Sequence, residues 1–360
     1  MTTDPRDRAM TPRAGAAAPG TGSPSTGSPP AGEGPLLSVR DLRVSFGPGR
    51  DAVTGLTLQA SRGEVVAIVG ESGCGKTLSA LALTGLLPSG AKASGSARIG
   101  GTELIGAPER KMRRLRGSKV SMIFQDASTA LNPLMSVGAQ IEEVLAIHGG
   151  PPRKERHARA IELLTSVGVP DPAARARSLP YQLSGGMRQR VMVAIALAGA
   201  PDLVIADEPT TALDVTVQAQ VLALLREVTR SSVVLFITHD MGVVAEVADR
   251  VVVMYAGAVV ESGTVEDVLA RPHHPYTAAL LASVPDPDRP AEGELPTIPG
   301  RVPPLGERGT GCPFRDRCPR STDQCAQMPP LAPITEGGGQ VACWHPEHAD
   351  AMSDEVKTTP

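Results

Sequence analysis

Apolar and polar residues first alternate from residue 36, where LLSVRDLRVSF has the two-residue period of a half-buried strand. A second alternating stretch, AVTGLTLQA, begins at residue 52. Three later runs are apolar almost without interruption: VVAIV (65–69), DLVIAD (202–207) and SVVLFITHD (232–240). Such runs are typical of parallel strands buried on both faces. The pattern predicts an α/β core whose functional groups follow the carboxyl ends of its strands.

Helical spacing and turn residues fill the intervals between these strands. Residues 210–229 have the three- and four-residue apolar spacing of a helix, and residues 128–200 lack strong strand runs. The stretch RVVVMYAGAVVESG predicts a hairpin that turns at Ala256-Gly257. From Pro272 onward proline and glycine become frequent and periodicity fades. We therefore expect a helical insertion within the core and an irregular C-terminal extension.

The composition indicates a disordered N-terminal tail and argues against nucleic-acid-binding and membrane-spanning proteins. Residues 1–35 contain seven prolines and six glycines, which predicts a disordered segment. The net charge of −3 gives no cationic field for nucleic acid. No uncharged apolar run reaches the roughly 18 residues of a membrane helix, and the N-terminus lacks a signal-peptide core. A cytosolic chain is expected, in which clustered thiols bind metal more often than they form disulfides.

The stretch GESGCGKT between a predicted strand and a predicted helix matches the phosphate-loop pattern. Its glycines let backbone N–H groups surround anionic oxygens, and the following helix directs its positive end toward them. Lys76 is expected to reach the β- and γ-phosphates, and the Thr77 hydroxyl is expected to bind Mg²⁺. The predicted nucleotide-binding residues of this loop are Gly70, Glu71, Ser72, Gly73, Cys74, Gly75, Lys76 and Thr77.

A phosphate loop alone is compatible with kinases, GTPases or helicases, and a second motif, LVIADEP at 203–209, narrows these classes. Asp207 ends a predicted strand, where its carboxylate can hold the water shell of Mg²⁺. Glu208 stands beside it and can polarise an attacking water as a general base. An Asp-Glu pair by itself is more often part of a solvated loop. Its interpretation as a magnesium and general-base site therefore depends on the phosphate loop in the same chain.

A third motif, LSGGMRQR at 183–190, resembles the signature of the ATP-binding cassette ATPases. The other motifs of that family stand around it in the right order: FQD with Gln125 precedes it, and TTALD with Asp214 and ITHD with His239 follow it. The resemblance covers residues 36–270. It implies a phosphate-loop NTPase of the RecA-like α/β class, with an antiparallel β subdomain and a helical signature subdomain at about 128–200.

The resemblance also implies roles for these residues. His239 and Gln125 would act with Glu208 at the γ-phosphate, and Phe46 would stack on adenine unless it serves as an ordinary core residue. Two cassettes would enclose two ATP molecules, so a second cassette subunit is expected. The residues implied to act across that interface are Ser184, Gly185, Gly186 and Asp214.

Longer stretches resemble one subfamily, the ATPases of bacterial oligopeptide and dipeptide importers. These stretches are SMIFQDASTALNPLMSVGAQI, ARPHHPYTAALLASVP and TIPGRVPPL followed by GCPFRDRCP, and SGGMRQRVM is similar to the first, D-type, ATPase subunit. An extension at 271–347 and a flexible tail at 348–360 follow from this. The implied partners are a second ATPase, two membrane permeases and an extracytoplasmic solute-binding protein, which places the chain at the cytoplasmic membrane face. Import of nickel or another small solute by the same machinery and a soluble, non-transport ATPase remain as alternatives.

Four of the five cysteines lie in the extension, with five, six and seventeen residues between neighbours. Four thiolates fit a [4Fe–4S] cluster or a tetrahedral zinc ion, and the absence of a tight Cys-x₂₋₄-Cys pair favours the cluster. Members of the subfamily with the same cysteines resemble cluster carriers; free thiols or disulfides are the remaining alternative. The extension is expected to be separate from the hydrolytic core. The predicted metal ligands are Cys312, Cys318, Cys325 and Cys343.

Overall fold

The chain forms two β-sheets over the residues that the computed structural model describes, which are 34–210, 215–284, 297–334 and 338–348. The expectations for the N-terminal tail and for most of the C-terminal tail lie outside these residues. In chain order the strands are β1 (Leu37–Ser45), β2 (Asp51–Ala60), β3 (Val65–Val69), β4 (Lys92–Ile99), β5 (Thr102–Glu103), β6 (Val120–Ile123), β7 (Leu203–Asp207), β8 (Val233–Thr238), β9 (Arg250–Tyr255), β10 (Ala258–Thr264), β11 (Ala332–Pro333) and β12 (Gln340–Val341).

The smaller sheet is antiparallel, with strand order β2-β1-β4-β5. Its first two strands are the ones that the alternating patterns predict, and β1 buries alternate residues such as Leu37 and Val39. Register shifts interrupt the pairing of β1 with both neighbours near Leu42 and Arg43. The antiparallel β subdomain is thus confirmed.

The larger sheet has strand order β11-β12-β10-β9-β3-β8-β7-β6. Strands β9, β3, β8, β7 and β6 run parallel, while β10, β12 and β11 pair antiparallel at one edge. The three uninterrupted apolar runs become β3, β7 and β8, as predicted. Their carboxyl ends lie at one edge of the sheet, where functional groups of α/β proteins converge.

Strand β3 is buried on both of its faces. Val65, Ala67 and Val69 belong to one apolar core, which also contains the helical part of the chain. Val66 and Ile68 belong to the other core, which contains the antiparallel sheet. Because side chains alternate along a strand, an uninterrupted apolar sequence here fills two different cores.

The helices cover the larger sheet and make up the insertion between β6 and β7. Short 3-10 turns lie at Pro180–Gln182, Arg315–Arg317 and Asp323–Ala326. In chain order the α-helices are α1 (Lys76–Thr84), α2 (Glu109–Leu115), α3 (Ala127–Ala130), α4 (Val137–Ile147), α5 (Arg153–Ser166), α6 (Pro172–Arg175), α7 (Gly185–Leu197), α8 (Val215–Thr229), α9 (Met241–Val247), α10 (Val265–Ala270) and α11 (Pro275–Ala282).

The C-terminal part of the described chain returns to the larger sheet. The hairpin of β9 and β10 turns at Ala256-Gly257, as predicted. Val341 in β12 pairs with Glu261 in β10, and Ala332 in β11 pairs with Val341. The extension is therefore joined to the core by main-chain hydrogen bonds. Within the described ranges, no helix combines the length and apolar character needed to cross a membrane.

Two glycines let the chain leave β3 in a tight loop. Gly70 has φ +148°, and a Cβ there would meet the carbonyl oxygen of Met254 and the sulfur of Cys74. Gly75 has φ +104°, and a Cβ there would lie 2.7 Å from the carbonyl oxygen of Ala52. Any larger residue would force the loop away from its neighbouring strands.

Alanine substitution in this loop separates steric crowding from backbone strain. Gly73 also has positive φ (+80°), but its Cβ would meet no atom within 4 Å. Gly73→Ala is therefore expected to lower the free energy of unfolding by about 1–2 kcal/mol, the cost of a left-handed backbone. Gly70→Ala should lower it by about 1–3 kcal/mol more, because of overpacking. Urea unfolding of both variants checks this; equal losses would contradict the crowding at Gly70.

Candidate functional site

The loop from Gly70 to Thr77 places the end of β3 at the beginning of α1. Lys76 is the first residue of α1 and is 6% exposed. Its ammonium donates to the carbonyl oxygens of Gly70 at 2.6 Å and Glu71 at 3.2 Å. The positive end of α1 and this ammonium together make the concave side of the loop attractive to phosphate oxygens.

Asp207 lies at the end of β7, next to the start of α1. The Thr77 hydroxyl lies 3.3 Å from Asp207 Oδ1 and donates to it. Burial raises the pKa of Asp207, and the neighbouring Glu208 carboxylate raises it further. A buried carboxylate beside a hydroxyl is the oxygen set that Mg²⁺ prefers, and a bound cation would offset the burial of the charge.

Glu208 brings the predicted hydrolytic residues together. It has φ +47°, a left-handed backbone that costs a non-glycine residue about 1–3 kcal/mol. Gln125 Nε2 donates to one carboxylate oxygen at 2.9 Å, and His239 Nδ1 lies 3.1 Å from the other. The side chain of Glu208 is 16% exposed, while that of His239 is 57% exposed. Three separate parts of the chain therefore meet at one carboxylate.

Lys76, Gln125, Glu208 and His239 line a cavity of about 480 Å³, large enough for a nucleotide, whereas Gly70 and Asp207 are not part of its lining. Glu71 does not line it, because its carboxylate turns toward the C-terminal extension. Phe46 also lies outside this lining, in the turn after β1, where its N–H donates to the Arg50 carbonyl. The lining residues are Ser72, Gly73, Cys74, Gly75, Lys76, Thr77, Leu78, Gln125, Glu208 and His239.

The signature residues lie at the beginning of α7, apart from the lining of this cavity. Ser184 caps the helix, and its hydroxyl accepts from the N–H of Met187 at 3.3 Å. Gly185 and Gly186 form the first turn, which leaves their N–H groups without helical partners. Asp214 lies outside the described residues. A residue that the sequence analysis missed, Gln189, is buried and donates to the carbonyl of Pro209 at 2.7 Å.

The four cysteines of the extension line one narrow cavity of about 10 Å³. Cys312 and Cys325 are buried, Cys318 and Cys343 are half-buried, and all are free of disulfide bonds. Burial raises the pKa of Cys343 to about 12. In the described part of the chain, however, no group of three or more His, Cys, Asp or Glu side chains is arranged to hold a metal ion as it stands.

A histidine that the sequence analysis did not assign lines the same cavity. His274 Nδ1 accepts the N–H of Tyr276 at 3.0 Å, so its proton lies on Nε2. Nε2 is buried without a hydrogen-bond partner, and burial lowers the pKa of this imidazole to about 3. The wall of the cysteine cavity thus contains a neutral ring with an unused N–H donor.

The extension also reaches the phosphate loop, which the sequence analysis did not anticipate. Arg308 donates to the carbonyl oxygens of Gly73 at 3.1 Å and Asp51 at 3.1 Å. Arg317 pairs with the carboxylate of Glu71. The expected separation between core and extension is wrong in this respect. Arg308 stands in no motif, and although Arg317 lies within GCPFRDRCP, no local pattern indicates that either arginine contacts the phosphate loop.

Comparison with known families matches two regions of the chain. Residues 53–211 match the ABC transporter family, and these residues contain the phosphate loop, the signature and Glu208. Residues 260–325 match the oligopeptide/dipeptide transporter C-terminal region, which includes three of the four clustered cysteines.

Individual proteins are similar over most of the chain. A probable peptide ABC transporter ATP-binding protein of Sinorhizobium fredii is 47% identical over 86% of this chain and 94% of its own length. The oligopeptide transport ATP-binding protein OppD of Salmonella typhimurium has the same identity and coverage. Among solved structures, the ADP- and phosphate-bound dimer of the cassette MJ0796 is 27% identical, with a TM-score of 0.57 over 64% of this chain and 99% of that one. The chain therefore belongs to the ABC transporter ATPases that carry the oligopeptide/dipeptide transporter C-terminal region.

Proposed function

We propose that this ATPase energises the import of oligopeptides or dipeptides. The observation that carries the proposal is that one compact unit joins the phosphate-loop cavity to a C-terminal region of the oligopeptide/dipeptide type. Relatives of nearly the same length are named for peptide transport. We assign residues 36–270 to the ATPase domain, with its helical subdomain at about 128–200, and 271–347 to the extension.

ATP and Mg²⁺ would bind at the loop between β3 and α1. Lys76 would move from the loop carbonyls to the β- and γ-phosphates, and the loop N–H groups would surround the same oxygens. Thr77 and Asp207 would hold Mg²⁺, because their oxygens already face each other. For Phe46 to stack on adenine, the turn after β1 would have to move toward the site.

Glu208 would act as the general base in hydrolysis. Its carboxylate is oriented by Gln125 on one side and lies against His239 on the other. A water that donates a proton to Glu208 would attack the γ-phosphate, and His239 would donate to a phosphate oxygen. The fixed orientation of the base lowers the entropic cost of reaching the attacking geometry.

Hydrolysis on this proposal requires a second cassette subunit. Ser184, Gly185 and Gly186 lie away from the cavity of their own chain, so their free N–H groups suit a γ-phosphate bound by a partner. Asp214 would act at the same interface. The MJ0796 cassette is a dimer in its ADP- and phosphate-bound state, which supports a paired arrangement.

Two permease subunits and an extracytoplasmic solute-binding protein would complete the importer, with this chain on the cytoplasmic face of the membrane. The described insertion exposes large apolar side chains, with Leu134 88% exposed and Ile147 66% exposed. A permease subunit would cover these two side chains, and the insertion would carry the closure of the cassettes to the permeases.

The four cysteines would hold a metal centre, which we propose to be a [4Fe–4S] cluster. Four thiolates are the usual ligands of such a cluster, and the sulfur atoms around it would accept the unused N–H of His274. A cavity of about 10 Å³ admits little more than one water molecule, so the thiols would have to move outward to accommodate the cluster. The cluster would crosslink a segment with little regular secondary structure.

Glu208→Gln tests the hydrolytic assignment. The amide keeps the shape of the side chain but cannot take a proton, so ATP hydrolysis should fall by about 10²–10⁴-fold while ATP binding persists. Phosphate release and nucleotide affinity of the assembled transporter check this. The exposed Glu246→Gln variant in α9 is the matched control. Full activity of Glu208→Gln would remove this residue from the role of base.

Deletion of the gene for this chain in the source organism tests which solute is transported. Uptake of radiolabelled di- to pentapeptides should stop on deletion and return with the wild-type gene, but not with the gene for Glu208→Gln. Nickel uptake is measured in the same cells, because nickel is the alternative solute. Normal peptide uptake together with lost nickel uptake would replace the peptide assignment, and normal uptake of both would favour a role outside transport.

Metal analysis tests the cluster. Anaerobically purified protein should contain about four iron and about four sulfide per chain, with a broad visible absorbance. Cys318→Ser should lose most of both, since a ligand is removed. Cys74→Ser, at a buried cysteine of the phosphate loop, should retain them and is the control. Stoichiometric zinc without iron would overturn the cluster and leave a zinc site.

A further inference from the structure

Two residues of the C-terminal extension, Arg317 and Tyr276, hold Glu71 in place. Arg317 Nη1 lies 2.6 Å from Glu71 Oε2, and Nη2 lies 3.2 Å from Oε1. The two side chains form a bidentate salt bridge, the strongest geometry between a guanidinium and a carboxylate. The Arg317 side chain is 6% exposed and that of Glu71 is 30% exposed, so solvent screens the pair only in part.

Tyr276 holds the backbone of the same residue. Its hydroxyl accepts the N–H of Glu71 at 2.9 Å. Tyr276 is completely buried, and its ring packs against Tyr255 at 4.7 Å and Phe314 at 5.3 Å between centroids. The hydroxyl is therefore fixed in place by an aromatic cluster to which the extension contributes both Tyr276 and Phe314.

All three polar groups of Glu71 are engaged. Its N–H donates to Tyr276, its carboxylate accepts from Arg317, and its carbonyl accepts from Lys76 at 3.2 Å. A displacement of Glu71 would therefore move one of the two carbonyls that hold the Lys76 ammonium. Glu71 is thus the single residue that connects Arg317 of the extension to the Lys76 ammonium.

Arg317 itself has a fixed position. It donates to the carbonyls of Pro299 at 2.7 Å and Ile298 at 3.0 Å and to the Tyr255 hydroxyl at 3.1 Å. With Glu71 these partners occupy most of the donors of the guanidinium. Arg317 also ends the 3-10 turn Arg315–Arg317, directly before Cys318. Its placement therefore depends on the fold of the cysteine segment.

We propose that Arg317 is a positioning residue of the ATP site, which acts through Glu71 to fix the first turn of the phosphate loop. Tyr276 supports the same turn from the backbone side. The inference rests on the proposed ATP site at residues 70–77 but on neither the transported solute nor the metal. It means that the extension contributes to nucleotide binding.

The alternative is that Arg317 stabilises only the extension, through its bonds to Ile298 and Pro299. Glu71→Gln separates the two roles, because it removes the ion pair and leaves those backbone bonds in place. It should weaken ATP binding about 10-fold, the worth of a hydrogen bond to a charged group, and change kcat by less than about 2-fold. Arg317→Met should weaken binding at least as much, and Arg317→Lys should recover part of it.

The double variant decides between the roles. If Arg317 acts through Glu71, Arg317→Met should have little further effect on ATP affinity in the Glu71→Gln background. Nucleotide titration and KM with kcat are measured on the full chain, with Arg301→Met, an exposed arginine of the extension, as control. Thermal unfolding is recorded for each variant. Wild-type affinity of Glu71→Gln, or multiplicative losses in the double variant, would overturn the proposal.

These outcomes are distinct from a failure of the proposed function. If the wild-type chain binds and hydrolyses ATP while both Arg317 and Glu71 variants bind ATP normally, only the positioning role is lost. If the wild-type chain itself binds no ATP, the proposed site is wrong and the positioning role is wrong with it.

Discussion

The burial of β3 on both faces is the constraint on which the site depends. β8 and β9 occupy its two edges, and two separate apolar cores occupy its faces. The backbone of β3 pairs with both neighbouring strands, with the N–H of Val65 donating to the Asp249 carboxylate just before β9, and the chain changes direction after Val69. The tight loop that follows needs glycine at Gly70 and Gly75, because neighbouring backbone approaches too closely for a Cβ. Core packing therefore determines where the phosphate loop is and which residues can form it.

The same parallel arrangement brings the other chemical groups to the loop. β7 ends at Asp207 and β8 ends at Thr238, so Glu208 and His239 follow two adjacent strands. The N–H of Glu208 donates to the Ile237 carbonyl, which ties the two strand ends together. Glu208 retains a left-handed backbone there, a strain that the bonds from Gln125 and from the adjacent strand hold in place. The site is thus an outcome of strand order more than of loop sequence.

Much of this could be predicted from sequence, and the exceptions have a physical cause. The runs that became β3, β7 and β8 have strong local patterns, and so does the glycine loop. β11 and β12 contain two residues each, too few for any periodicity, and they became strands because β10 offered an open edge. Arg317 and Glu71 are separated by 246 residues, and neither has a local feature that indicates a partner. Contacts between distant segments were therefore the part that the sequence analysis missed.

The composition of the junction argues that the extension is an integral part of the ATPase. The chain has eight aromatic residues, and three of them, Tyr255, Tyr276 and Phe314, pack on one another where the extension meets the sheet. All three are buried within the same core as the parallel strands. Aromatic side chains bury more apolar area than any others. In a chain with so few of them, the three at this junction contribute a large part of the apolar area that aromatic residues bury. A loosely tethered metal-binding module would not require such packing, whereas a segment that holds Glu71 of the phosphate loop in place would.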